Sequence, residues 1–177
     1  MLFRSSGASF NEVYGNNIGV SIKGNIALGN AYEGVQITDV GTTNNLIGKT
    51  GFANVISNNF TGVRINNGPV YNQILGNLIG LSGDGIDSDM GNSQDGILIE
   101  NLGTDENIIG DELEGNYIAY NGGHGIRLSN DPFHTVIQGN LIGFTTDTLG
   151  AAGNIESGIY LEYFANYNLI GGCNAGE

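Results

Sequence analysis

Apolar residues along the chain fall in short alternating runs, not in long stretches, and the runs recur in a fixed order. The first run is Asn-x-Ile: Asn11-Glu12-Val13, Asn45-Leu46-Ile47, Asn72-Gln73-Ile74, Asn107-Ile108-Ile109, Thr135-Val136-Ile137 and Asn168-Leu169-Ile170. The second has the same form, in Asn16-Asn17-Ile18, Asn54-Val55-Ile56, Asn77-Leu78-Ile79, Asn116-Tyr117-Ile118 and Asn140-Leu141-Ile142. The third is Gly-(Ile/Val)-x-(Ile/Leu), in 34–37, 62–65, 96–99, 125–128 and 158–161. Alternation at period 2 over three or four residues predicts a short strand. A helix would need apolar residues at i, i+3 and i+4 over ten residues or more. Three short strands per cycle, each with one apolar set facing inward, make a coil. Stacked coils pair strand on parallel strand about 4.8 Å apart, so five would stand about 24 Å tall. The chain is read as an all-β solenoid of about five coils, starting near residues 11, 45, 72, 107 and 135, with a sixth cut off after 168. Residues 1–10 are a lead-in or partial coil before the repeats of 11–177.

The spacing adds a second level. Successive first runs are 34, 27, 35, 28 and 33 residues apart, so long and short coils alternate and the true repeat is a pair. In long coils the first two strands start 5 residues apart, and in short coils 9. The Asn columns are expected at tight corners. Asn tolerates left-handed backbone geometry, and stacked amides can bond from coil to coil as a ladder.

Composition narrows the class. The chain has 177 residues, 31 of them Gly and 25 Asn, with a net charge of −13. That charge repels phosphates and argues against nucleic-acid binding. One cysteine excludes an internal disulfide framework, and no apolar run reaches the roughly 18 residues of a membrane span. The first ten residues lack the apolar core of a signal peptide, so the protein is either cytoplasmic or exported by a piece not in this sequence. The closing Asn-Leu-Ile-Gly-Gly stops in mid-pattern, which suggests a longer array.

The strings Gly-Asn-Leu-Ile-Gly (76–80 and 139–143), Gly91-Asn92 and Gly153-Asn154 before the third run, and Asn168 to Gly172 resemble right-handed parallel β-helix repeat proteins of the pectin-lyase-like class. They are most similar to the Asn/Gly-rich arrays of bacterial secreted and surface proteins, over about residues 11–172. The resemblance implies an extracellular or cell-surface setting. It leaves function open, because that fold hosts lyases, hydrolases, epimerases, adhesins and spacers.

Four candidate sites follow. Loop 80–95 carries Asp84, Asp87, Asp89 and Asp95, and calcium takes six to eight oxygens in Gly-rich turns of this kind. Asp84, Asp87 and Asp89 are its metal candidates, the alternative being a solvated acidic loop. No cofactor is required by any other motif. The column before the third run holds Glu33, Thr61, Asp95, His124 and Ser157. There Gly123-His124-Gly125 resembles the Gly-His-Gly motif of the polygalacturonase family. Asp95 fits that family's acidic motif one coil earlier, but Gln94 and Thr61 stand where two further carboxylates belong. Asn130-Asp131-Pro132-Phe133-His134 resembles the Asp-Pro-His-Glu motif of alginate epimerases, with Phe133 inserted and Thr135 for Glu. It would make His134 a base and Arg127 a cation for a lyase. Finally, the outward row of the third strands reads Gln36, Arg64, Leu98, Arg127, Tyr160. Arg64, Arg127, Tyr160 and nearby Glu100 form a face for a polysaccharide or protein.

The expected function is a non-catalytic repeat module of a secreted or surface protein, a spacer or adhesive face for glycan or protein. The alternative is a carbohydrate-active enzyme of lyase, epimerase or hydrolase type. Outward apolar residues such as Leu46, Ile108, Val55 and Leu78 need cover, from the long loops or from a partner. A homo-oligomer through this face or through uncapped ends is therefore expected.

Overall fold

The computed structural model describes residues 2–4, 7–86, 88–147 and 150–172. Its strands, numbered in chain order, form three sheets in which neighbouring strands run parallel. Sheet A stacks β1 (Leu2–Arg4), β4 (Val35–Thr38), β7 (Val63–Asn66), β10 (Ile97–Glu100), β13 (Ile126–Ser129) and β16 (Ile159–Leu161). Sheet B stacks β2 (Glu12–Val13), β5 (Leu46–Ile47), β8 (Gln73–Ile74), β11 (Ile108–Ile109), β14 (Val136–Ile137) and β17 (Leu169–Ile170). Sheet C stacks β3 (Asn17–Ile18), β6 (Val55–Ile56), β9 (Leu78–Ile79), β12 (Tyr117–Ile118) and β15 (Leu141–Ile142). Among the described residues the only helical element is the 3-10 turn Ser88–Met90. The chain is a parallel β-helix of about five coils, as the repeat predicts. The lead-in holds a strand of its own, since β1 pairs with β4 and so supplies the third strand of a partial coil.

The core is the set of inward columns. Val35, Val63, Ile97 and Ile126 stack with Ile37, Ile65, Ile99 and Leu128 from sheet A, against Ile47, Ile74, Ile109, Ile56, Ile79 and Ile118 from the other two sheets. All are fully buried. β-branched side chains suit this site because each packs on its own counterpart one coil away.

An Asn ladder runs up each of the three corners, one more than the apolar runs predict. The first is Asn11, Asn45, Asn72 and Asn107, with Nδ2 donating to the next Oδ1 at 2.8, 2.9 and 3.0 Å. The second is Asn16, Asn54, Asn77, Asn116 and Asn140. The third, Asn30, Asn59, Asn92, Asn121 and Asn154, precedes the sheet A strands. In each ladder backbone N–H groups donate to the same oxygens, so the side chains satisfy corner amides that no strand can pair. Beside the third ladder, Gly80 has φ +81°, and a Cβ there would lie 2.0 Å from the Ala119 carbonyl oxygen. Only glycine lets the corner close that tightly.

The long loops cover sheet C. Loops 19–29, 80–91 and 143–153 stack on one another across the intervening short coils. The Gly83 N–H donates to the Gly24 carbonyl at 2.9 Å, and the Thr146 N–H to the Gly85 carbonyl at 3.1 Å. Beneath them Val20, Val55 and Met90 are buried together with Leu78 at their side. Leu81, Ala119 and Ala152 form a second group against Tyr117 and Tyr120. This face gets its cover from the chain's own loops. On sheet B, Leu46, Ile108 and Val136 are partly exposed and Leu169 is exposed.

Candidate functional site

The outer face of sheet A brings most of the candidate residues together. Register aligns Gln36, Arg64, Leu98, Arg127 and Tyr160 in one row. The two arginines are two strands apart, roughly 10 Å. Each is clamped between carboxylates from neighbouring coils. Arg64 Nη1 donates to Glu33 Oε1 at 2.8 Å, and its Nε donates to Glu100 Oε1 at 2.8 Å. Arg127 Nε donates to Glu162 Oε1 at 2.8 Å, and its Nη1 lies 3.7 Å from Asp95 Oδ2. Ser129 Oγ donates to the same Glu162 oxygen at 3.1 Å. Acid, arginine, acid is thus written twice, as Glu33–Arg64–Glu100 and Asp95–Arg127–Glu162. Long coils supply the acids and short coils the arginines.

His124 sits beside the second triad and is buried. Its Nδ1 accepts the Ser157 backbone N–H at 3.1 Å, which places the ring proton on Nε2. Nε2 lies 2.8 Å from Glu156 Oε2. Tyr160 stacks on the imidazole, with ring centroids 4.5 Å apart and planes 18° from parallel. Asp95 Oδ1 accepts the His124 backbone N–H at 2.9 Å. Burial pushes the Asp95 carboxyl above its ordinary range, against the pull of that N–H and of Arg127. Glu162 goes the other way. Burial opposes its charge, but the hydrogen bonds from Arg127 and Ser129 outweigh it and hold the carboxyl low.

Asp95, His124, Arg127 and Tyr160 therefore form one cluster, and Arg64 with Glu100 a second. Glu100 is engaged by Arg64. The carboxylate nearest His124 is Glu156, which the sequence reading passed over for its neighbour Ser157. Glu162, the main partner of Arg127, was also missed. The signal was there, because Glu162 follows Glu100 by 62 residues, one coil pair. Asn59, two residues before Thr61, is a ladder residue bonded to Asn92.

His134 lies elsewhere. It sits at the corner between sheets A and B with Phe133 and Tyr167, at centroid distances of 6.2 and 5.9 Å. No contact joins it to Arg127, whose guanidinium is taken by Glu162 and Asp95.

In the acidic loop, the Asp84 carboxylate accepts from the Ser82 hydroxyl and from the Ile86 N–H, and these bonds, the Ser82 one foremost, lower its pKa. The last long loop repeats this bond, Thr145 to Asp147, whereas in the first Lys23 stands at the place of Asp84 and the Ser21 hydroxyl donates to Asn25 four residues on. The first loop closes without a carboxylate there, so the turn itself calls for no ion. Asp89 is exposed, and Asp87 lies outside the described residues. Among the described residues, no three His, Cys, Asp or Glu side chains converge as a metal site. Nor is any helix there long and apolar enough to cross a membrane.

The fold defines a parallel β-helix repeat protein. No protein-family model, curated protein or solved structure matches the chain.

Proposed function

We propose that this protein is a non-catalytic β-helix module of a secreted or surface protein, serving as a spacer with an adhesive face for glycan or protein on sheet A. The observation that carries this reading is how completely the polar groups of that face are committed to one another. Both His124 nitrogens have partners, one of them backbone, and both arginines lie between carboxylates. A general base or acid needs a free position toward substrate. A rigid, prearranged polar surface with an exposed Tyr160 suits binding better. The resemblance to pectin-lyase-like arrays supports the extracellular setting. Calcium on loop 80–90 would be an accessory to this role. The outward apolar side chains of sheet B, with Leu46, Ile108 and Val136 partly exposed, favour homo-oligomers through that face.

One observation favours the alternative of a carbohydrate-active enzyme. Asp95 is an acid raised by burial, and Glu156 brings a second carboxylate to His124. The experiment is to incubate the protein with pectate, polygalacturonate and alginate, with and without calcium. Absorbance near 235 nm, reducing ends and retention on each polymer are followed together. Binding without products is expected. Turnover abolished by His124→Ala or His134→Ala would replace this reading with the enzyme. Light scattering at high concentration reads the oligomer.

A further inference from the structure

The corner between sheets A and B carries a second feature, independent of the sheet A face. The residue before each first-ladder position is Phe10, Asn44, Tyr71, Glu106, His134 and Tyr167 in successive coils. All six adopt a left-handed backbone, with φ between 51° and 60°. The corner imposes that geometry whatever the side chain. Gly and Asn meet it at least cost, and bulky residues at most. A neighbouring left-handed position on the same corner mostly takes the cheap choice, with Asp39, Asn67, Asn101 and Asn130 in four coils and an aromatic, Tyr163, only in the fifth. The column in question instead places four rings there.

Those rings stay largely in solvent. Phe10 is 78 % exposed, Tyr71 52 % and Tyr167 80 %, and His134 is exposed too. They are also spaced regularly. Phe10, Tyr71 and His134 follow one another by 61 and 63 residues, one coil pair, or roughly 10 Å along the solenoid. Tyr167 continues the line one coil beyond His134 and stacks on it at 5.9 Å and 24°. The polar positions between are Asn44 and Glu106, and the Tyr71 hydroxyl bonds to Glu106. The contacts of His134 and Tyr167 with each other and with Phe133 hold one end of the stripe, and they do not call for rings at Phe10 and Tyr71 at this spacing.

We propose that this stripe binds an extended, uncharged β-1,4-linked polysaccharide lying parallel to the solenoid axis. Sugar rings present flat C–H faces that stack on aromatic side chains. In an extended β-1,4 chain every second sugar turns the same face, a repeat that matches one coil pair. Asn44 and Glu106 stand at the intervening positions, where hydroxyl groups of the chain need partners. A net charge of −13 disfavours a polyanion on the same surface.

The test uses the full chain and retention in affinity electrophoresis on soluble hydroxyethyl cellulose, glucomannan, polygalacturonate and alginate. The key variant is Tyr71→Asn with Tyr167→Asn. Asn suits the left-handed backbone, so this variant should melt at or above the wild-type temperature while losing its rings. Wild type should be retained by the neutral β-glycans, and the double variant should bind them about tenfold more weakly or worse. Arg64→Gln with Arg127→Gln, on sheet A, tells the two surfaces apart, since loss of neutral-polymer retention in that variant would overturn the proposal. Absence of retention on both neutral polymers would overturn the proposal, as would unchanged retention of the Asn variant. Retention on the polyanions alone, lost in the arginine variant, would overturn it in favour of the sheet A face.

Discussion

Thr135 follows Asn107 in the first corner ladder and offers it no side-chain carbonyl. The Thr135 hydroxyl oxygen is buried without a hydrogen-bond partner, and Asn107 Nδ2 is left with the Pro69 carbonyl, the counterpart of Asn45's bond to Ala8. Beyond the break the ladder resumes, because the Thr135 N–H donates to Asn168 Oδ1 at 2.8 Å. Thr135→Asn should therefore join the two segments. One recovered buried hydrogen bond contributes about 1 kcal/mol, which for a chain of this size is a rise of about 2–4 °C in melting temperature. A thermal melt decides it, and a fall would mean that the corner has no room for the amide.

The converse change belongs in the middle of the second ladder. Asn77 is fully buried, and its Nδ2 donates to the Ile47 carbonyl and to Asn116 Oδ1 while its Oδ1 accepts from Asn54. Asn77→Ala strands several of these groups at once. A loss of about 3 kcal/mol or more in urea unfolding is expected.

The second triad should respond to pH through two carboxylates of opposite sign. Glu162 has a depressed folded-state value, so its contribution is present above the ordinary carboxylate range and is lost as acid protonates it. Asp95 has a raised value, so what it contributes is present in acid and is lost as pH rises through the folded value. Glu162→Gln should be less stable than wild type at neutral pH, with the gap closing in acid. Asp95→Asn, which keeps an oxygen for the His124 N–H, should gain on wild type as pH rises. Urea titrations from acid to neutral pH would show both trends or refute the assignment.

Leu81 tests the loop cover. It is fully buried with Ala119 and Ala152 beneath the long loops, outside the inward columns. Leu81→Ala should cost about 2–5 kcal/mol. Amide exchange should quicken first in loops 80–91 and 143–153, with sheet A amides holding their protection. Uniform loss of protection would mean that the loops and the coil core unfold as one unit.

Asp84→Asn should leave the calcium-free melting temperature nearly unchanged, since the first loop closes the same turn with Lys23 in place of Asp84. A large drop would show that the carboxylate charge, and not the turn geometry, holds loop 80–91 together. A calcium-induced rise that vanished in Asp87→Ala would assign an ion to the loop.

The coils were legible because each inward Ile or Val sits on a copy of itself, and such a column leaves a period in the sequence. Two ladders were legible for the same reason. The third was obscured because Asn30, Asn59, Asn92, Asn121 and Asn154 precede the third strand at varying distance, four to five residues before its first inward residue. The candidate site was half legible. Arg64, Arg127 and Tyr160 occupy the row that strand alternation assigns them. Glu156 and Glu162 escaped because they lie outside the four-residue runs, where direction depends on the turn. The corner rings escaped because their signal is conformational. Only φ shows that an aromatic there is an expensive choice.

Because long and short coils alternate, the molecule is quantised in units of two. Excising residues 72–134 would join Tyr71 to Thr135 and set Arg64 between Glu33 and Glu162, with the first long loop meeting the last across one short coil. Excising only 107–134 would instead lay one long coil directly on another, loop against loop, with no arginine between Asp95 and Glu162. A gene encoding such a rod can change its length by whole coil pairs without redesigning any surface. An internal deletion or insertion of an odd number of coils would instead bring two like coils into contact.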